Sequence, residues 1–126
     1  DISFKENMKE SILSEKSFNF AIRIINLYKY LVETKKEFVL SKQLLRSGTA
    51  LGALQSEACF AESKADFIHK YGIAQKECNE SIYWLKLLSR TNYIVQNEFE
   101  SLENDVIELL KMITSSIITV KRNTNR

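Results

Sequence analysis

The chain has 126 residues, enough for one domain with a core of its own. Its hydrophobic content of 44% and charged content of 27% exclude a disordered chain, and a formal net charge of +2 is too small to imply a nucleic-acid partner by itself. With no proline and only three glycines it lacks the turn residues a β-rich protein of this size needs, so a few long helices joined by short connections are expected.

The first expected helix runs from about residue 11 to 34. Its apolar residues form two stripes at helical spacing: Phe18, Ile22, Ile25, Tyr28 and Val32, and beside them Phe20, Ile24, Leu27 and Leu31. One stripe is what a bundle core requires. The second means either that the helix is buried more deeply or that it meets another subunit. The apolar connector Phe38-Val39-Leu40 follows, with Ser41 as candidate N-cap of a second helix over about 41–62. The middle of that helix is built of small residues, including Gly48 and Gly52 on one face. Glycine costs a helix about 1 kcal/mol relative to alanine. The pair is therefore expected where a neighbouring backbone comes close, within the bundle or between subunits.

Ser63 or Asp66 caps a third expected helix over about 65–91. Its inward row is Phe67, Tyr71, Ala74, Cys78, Ile82, Leu85 and Leu88, and Thr91-Asn92 breaks the pattern. A fourth helix over about 97–121 carries Phe99, Leu102, Val106, Leu109, Ile113, Ile117 and Val120 inward. There is no internal repeat and no low-complexity linker, so residues 1–126 read as one all-α domain. Short connections make consecutive helices antiparallel neighbours, and the expected fold is an up-and-down four-helix bundle.

Folding the second and third helices back about Ser63 brings residues equally distant from the turn to one height. Arg46 is then level with Glu80 and Thr49 with Glu77, so Arg46 is expected to pair with Glu80 or Glu77 and fix the register. The same construction separates Cys59 from Cys78 by roughly 16 Å along the helices. A disulfide needs Cα atoms within about 7 Å, so both are expected as reduced, small core residues in a cytoplasmic protein. No apolar run approaches the roughly 20 residues that span a bilayer, and the polar stretch from Asp1 to Glu10 is no secretory signal. The chain begins with Asp1 rather than Met; whether residues 1–7 are native is open, with Met8 a candidate start.

No motif carries chemistry. Di-iron bundles use two Glu-x-x-His motifs, and this chain offers only Asp66-x-x-His69. One histidine and two cysteines do not make a four-ligand zinc site at any familiar spacing. Gly48-x-x-x-Gly52 lies within a helix and has no Lys-Ser or Lys-Thr after it, so it is not a phosphate loop. Nothing supports a serine triad or an oxyanion hole, and both cysteines lie on apolar or small-residue faces. No enzyme activity, cofactor or metal is expected. Tyr83 and Trp84 read as anchors of the core or of an interface.

The motifs Leu45-Arg46-Ser47-Gly48-Thr49-Ala50-Leu51-Gly52, Glu57-Ala58, the run from Ala61 to Phe67, Ile73-Ala74, Lys76-Glu77 and Tyr83-Trp84-Leu85 follow in a specific order. In these the chain resembles the bacterial four-helix bundle proteins, also called the 23S rRNA intervening-sequence protein family. The resemblance covers about residues 20–94. It implies an up-and-down bundle and, often, a ring-shaped homopentamer. A related branch, the accessory protein of diversity-generating retroelements, implies a basic pentamer that binds nucleic acid and a reverse transcriptase. The shared motif residues read as structural, and none transfers as catalytic.

Together these features lead to a non-enzymatic homo-oligomeric scaffold, pentameric by resemblance, that binds RNA or DNA. The candidate phosphate contacts are Lys35, Lys36 and Lys42 near the first connection, Lys64 and Lys70 near the second, and Lys121 and Arg122 in a basic tail ending at Arg126. The alternative is a protein–protein interaction module with no nucleic-acid role. It would dock a partner on the first helix or on the acidic run Glu98, Glu100, Glu103, Asp105 and Glu108.

Overall fold

The structure is a computed structural model that describes the backbone of residues 4–124 and the side chains of residues 6–123. Residues 1–3 and Arg126, named above as a possible remnant and as the end of the basic tail, lie outside the described residues. Four helices follow one another: α1 (Phe4–Glu33), α2 (Leu40–Cys59), α3 (Lys64–Arg90) and α4 (Gln96–Thr124). Each packs along its neighbours in the chain, α1 and α4 meet more sparingly, and the backbones of the diagonal pairs stay apart among the described residues. This is the expected all-α, up-and-down four-helix bundle.

Of the two stripes on α1, the inward one is Phe20, Ile24, Leu27 and Leu31, extended by Leu13. They join Leu44 and Leu51 of α2, Tyr71, Ala74, Cys78, Leu85 and Leu88 of α3, and six of the seven expected residues of α4 in one core. Only Val120 of that row is half-buried rather than buried.

α1 begins seven residues earlier than the apolar pattern indicates, at residue 4 rather than 11. Its first turns are held by polar contacts, to which hydrophobic periodicity is blind. Lys9 Nζ donates to Ser115 Oγ of α4 at 2.6 Å, and the Glu10 carboxylate accepts from Ser116 Oγ at 2.8 Å.

The connections correct two expected caps. Ser41 does not cap α2; it lies in the first turn. The capping group is the buried Glu37 carboxylate, which accepts the backbone N–H groups of Val39, Leu40 and Ser41 at 2.7–3.0 Å. Burial pushes its pKa up, but these three donors outweigh burial and hold it below the usual carboxylate range. Lys36 before it adopts φ 58°, the left-handed turn that ends α1. At the next connection Ser63 does cap α3, accepting from Asp66 N–H at 3.0 Å, while Asp66 reaches back to Glu62 N–H at 3.3 Å. Ser63 needs extended backbone for this (φ −154°, ψ 166°), so α2 stops at Cys59 instead of running to 62. α3 ends in a Schellman turn. Asn92 takes φ 68°, Asn92 N–H donates to Ser89 O at 3.1 Å, and Tyr93 N–H donates to Leu88 O at 2.9 Å.

Candidate functional site

The two glycines of α2 face α1 within the bundle. A Cβ built on Gly48 would lie 2.9 Å from Ile24 Cγ1, and one on Gly52 would lie 3.7 Å from the Ser17 carbonyl oxygen. The small-residue face of α2 thus admits α1 and is not left for another subunit. On its other side α2 meets α3 through a buried hydrogen bond, Ser81 Oγ to Ser47 Oγ at 2.9 Å.

Arg46 lies across this seam from both expected carboxylates. One guanidinium nitrogen is 3.4 Å from Glu77 Oε2, and the other contacts Glu80 Oε1, which also accepts from Trp84 Nε1 at 3.1 Å. The two carboxylates respond in opposite directions. Burial raises the Glu77 pKa, Arg46 opposes this, and Glu80 adds to it. The Trp84 donor and Arg46 together hold Glu80 below its usual range. The difference follows from exposure: the Glu77 side chain is 14% exposed and that of Glu80 33%, so only Glu77 carries a large desolvation cost.

The second stripe of α1 is left largely open to solvent in the single chain. Phe18 is 66% exposed, Ile22 44% and Ile25 39%, with Tyr28 and Val32 half-buried beyond them. Deeper burial of α1 therefore does not explain its width. Met8 and Ile12, also exposed, lie toward its N-terminal end. One helix thus presents a long apolar row to solvent, which single chains seldom leave uncovered.

The candidate phosphate contacts do not form one surface. Lys35, Lys36 and Lys42 lie at the end of the bundle that holds the α1–α2 and α3–α4 connections; Lys64, Lys70, Lys121 and Arg122 lie at the opposite end, roughly 30 Å away along the length of α2. Lys70 Nζ is 3.0 Å from Glu57 and is engaged. The acidic run of α4 is partly consumed as well. Arg23 of α1 binds Asp105 at 2.6 Å and Lys16 binds Glu108 at 2.7 Å, closing the sparse α1–α4 seam with charge rather than apolar packing.

At the end of the bundle that holds the α2–α3 connection, all four helices contribute to a cluster that hydrophobic periodicity does not reveal. The Glu10 carboxylate of α1 accepts from the Tyr71 hydroxyl of α3 and from Ser116 of α4, while Gln55 of α2 donates to the Glu10 backbone carbonyl at 3.3 Å. Burial, then the Glu10 carboxylate, raise the Tyr71 pKa far above its usual value, so Tyr71 remains a hydrogen-bond donor. Cys59 was expected in the core and is exposed; its sulfur lies 4.0 Å from Glu10 Oε1 and accepts from Gln55 Nε2 at 3.0 Å. Desolvation and Glu10 push its thiol pKa up, which is the wrong direction for a nucleophile. Cys78 is a buried core residue, its pKa pushed up to about 12 by burial. His69 is exposed on an open groove of α3, apart from any carboxylate cluster. Among the described residues, no group of three or more His, Cys, Asp or Glu side chains is arranged to hold a metal, and no helix is long and apolar enough to cross a membrane.

Comparison with known proteins agrees with this arrangement. No curated protein matches the chain. Among solved structures it is similar to a Bacteroides thetaiotaomicron protein of unknown function from the S23 ribosomal protein family. The two are 54% identical, with a TM-score of 0.85 over 86% of this chain and 97% of that one. The family profile described as 23S rRNA-intervening sequence protein matches residues 9–115, most of the bundle, and the chain belongs to that family.

Proposed function

We propose that the protein is a cytoplasmic, non-enzymatic homo-oligomeric scaffold that binds RNA or DNA. The observation that carries the assembly is the row Phe18, Ile22 and Ile25, exposed along the outer face of α1. Covering it with a second copy removes apolar surface from water, at about 25 cal/mol per Å². Resemblance to the family sets the expected copy number at about five, in a closed ring.

Nucleic-acid binding is supported by the names of the family and of its solved relative, both tied to the ribosome, and by the charge of the assembly. Five copies of a chain of net charge +2 carry about +10, with each basic end repeated around the ring. The alternative, docking of a protein on the acidic face of α4, is weaker because Asp105 and Glu108 are already engaged by Arg23 and Lys16.

The test is absolute mass by light scattering on the wild type and on Phe18→Asp with Ile22→Asp. The expected result is a mass of about five chains for the wild type and a folded, much smaller species for the double variant. A wild-type monomer at micromolar concentration would overturn the scaffold reading.

A further inference from the structure

At the end of the bundle holding the α1–α2 and α3–α4 connections, the sparse contact of α1 with α4 leaves a cleft. One wall is a helical stripe of α1: Arg23, Asn26, Leu27 and Tyr30. The other is the α3–α4 connection with the first turn of α4: Asn92, Tyr93, Ile94, Val95 and Glu98. Leu27 and Ile94 are buried and form an apolar floor. Tyr30 is exposed and Tyr93 half-buried, so the cleft has an aromatic ring on each wall. Lys35 lines the same cleft, with Nζ 6.0 Å from the centre of the Tyr30 ring.

The charges of the cleft are of two kinds. Arg23 is occupied, with one guanidinium nitrogen on Asp105 at 2.6 Å and the other on Ser101 at 3.0 Å. Lys35 lies over the Tyr30 ring, and among the described residues it has no carboxylate within ion-pairing distance. One cation is therefore available in a cleft lined by two tyrosines. Asn26 on the α1 wall and Asn92 and Glu98 on the facing wall offer amides and a carboxylate, the groups that pair with the edge of a base. A purely anionic ligand would be repelled by Glu98, and a purely apolar one would strand Lys35 and the amides. A planar, polar-edged ring carrying an anion suits all three parts.

We propose that this cleft binds a nucleotide, its base stacked between Tyr30 and Tyr93 and its phosphate on Lys35. The ligand is a free nucleotide or one unit of a single strand, since a base inside a duplex cannot enter; the strand is favoured because Lys36 continues the cation beyond the cleft. The inference deepens the nucleic-acid reading above and rests on it for the source of the nucleotide. Glu98 adds a preference: it accepts from the exocyclic amines of adenine and cytosine, which uracil lacks.

The test is fluorescence anisotropy with labelled single-stranded oligo-A, oligo-U and an oligo-A duplex, with calorimetry for AMP. Tyr30→Ala, Lys35→Glu and Tyr93→Phe are compared with wild type after thermal melts confirm folding. Tyr93→Phe keeps the ring and guards against a packing defect. The expected result is that oligo-A binds more tightly than oligo-U or duplex. Tyr30→Ala should then weaken it by roughly tenfold or more, with Tyr93→Phe within about twofold of wild type. AMP binding lost in Tyr30→Ala, without oligonucleotide binding, would support the cleft and overturn the nucleic-acid reading. Oligonucleotide binding unchanged in both Tyr30→Ala and Lys35→Glu would overturn the cleft while the nucleic-acid reading stands. Absence of binding to every probe would overturn both.

Discussion

At the scale of single residues, the glycines of α2 are identical in sequence terms and different in what surrounds them. A methyl group at Gly48 would meet Ile24 Cγ1 at 2.9 Å and Cγ2 at 3.1 Å. Ile24 is buried and β-branched, so no rotation about χ1 carries both γ carbons away. Overpacking of this kind costs about 1–3 kcal/mol, while replacing a helical glycine by alanine returns about 1 kcal/mol. Gly48→Ala should therefore be destabilising by up to about 2 kcal/mol. At Gly52 the nearest atom to the new methyl is 3.7 Å away, an ordinary contact, so Gly52→Ala should be neutral or stabilising by up to about 1 kcal/mol. Urea unfolding at one fixed chain concentration reads both, the concentration being held because assembly adds to apparent stability. Equal effects at the two positions would mean that α1 and α2 pack differently from what the structure shows.

At the scale of the helices, the pairing of Arg46 with Glu77 and Glu80 ties α2 to α3 across an exposed seam. A surface ion pair contributes about 0–1 kcal/mol, and Arg46 is 58% exposed, so the pair itself adds little. The consequence of losing Arg46 lies with Glu77, whose side chain is 14% exposed. Its pKa is already raised in the folded state, so its charge opposes folding, and the penalty grows as pH rises through that raised value. Without Arg46 the penalty is larger. Arg46→Ala should thus lower stability by about 1 kcal/mol at neutral pH. The deficit should shrink as pH falls through the carboxylate range and Glu77 takes up a proton. Thermal melts of wild type and variant at neutral pH and near pH 4 check this, and a deficit that stays the same on acidification would show that Arg46 acts through packing rather than through its carboxylate partners. This register was legible from the sequence because the turn at Ser63 and a constant rise per residue suffice to compute it. The apolar rows of α3 and α4 were legible for the same reason. The sequence could not say which stripe of α1 faces inward, since both repeat at helical spacing; the close approach at Gly48 and Gly52 selects the one holding Ile24. Glu37 as the cap of α2, and Glu10 joining Tyr71 and Ser116, were hidden because carboxylates in polar stretches read as solvent-facing. The two walls of the nucleotide cleft are about sixty residues apart in the chain, and only the spacing of α1 from α4 brings Tyr30 to Tyr93.

At the scale of the whole molecule, the proposed ring and the proposed binding surface constrain each other. Copies joined head to tail about one axis all point the same way, so every end bearing Lys35, Lys36 and Lys42 faces the same side of the ring. A two-fold dimer would turn those ends apart only if its axis ran across the bundle. Lys35 and Lys36 sit on the α1–α2 connection and Lys42 in the first turn of α2, beside the three backbone donors to Glu37, and among the described residues none has a carboxylate partner within ion-pairing distance. At the opposite end Lys70 is engaged by Glu57, and Lys64 shares its pocket with Glu6 and Glu10. One ring face thus offers repeated, weak and identical contacts, which a strand gains in sequence once it is long enough to reach the next copy. Strand length should then separate single-site from ring binding. For an oligonucleotide of about 3 residues, too short to bridge copies about 20 Å wide, Phe18→Asp with Ile22→Asp should leave affinity within about threefold of wild type. For one of about 40 residues the same variant should lose roughly a hundredfold, because the linked contacts are gone while each site survives. Replacing Lys35, Lys36 and Lys42 by alanine should weaken both lengths and flatten the salt dependence, by about 2 in the logarithmic slope if each lysine meets one phosphate. A loss that ignores strand length would mean that assembly and nucleic-acid binding are separate properties. A salt slope that responds instead to Lys64, Lys121 and Arg122 would turn the binding face to the other side of the ring.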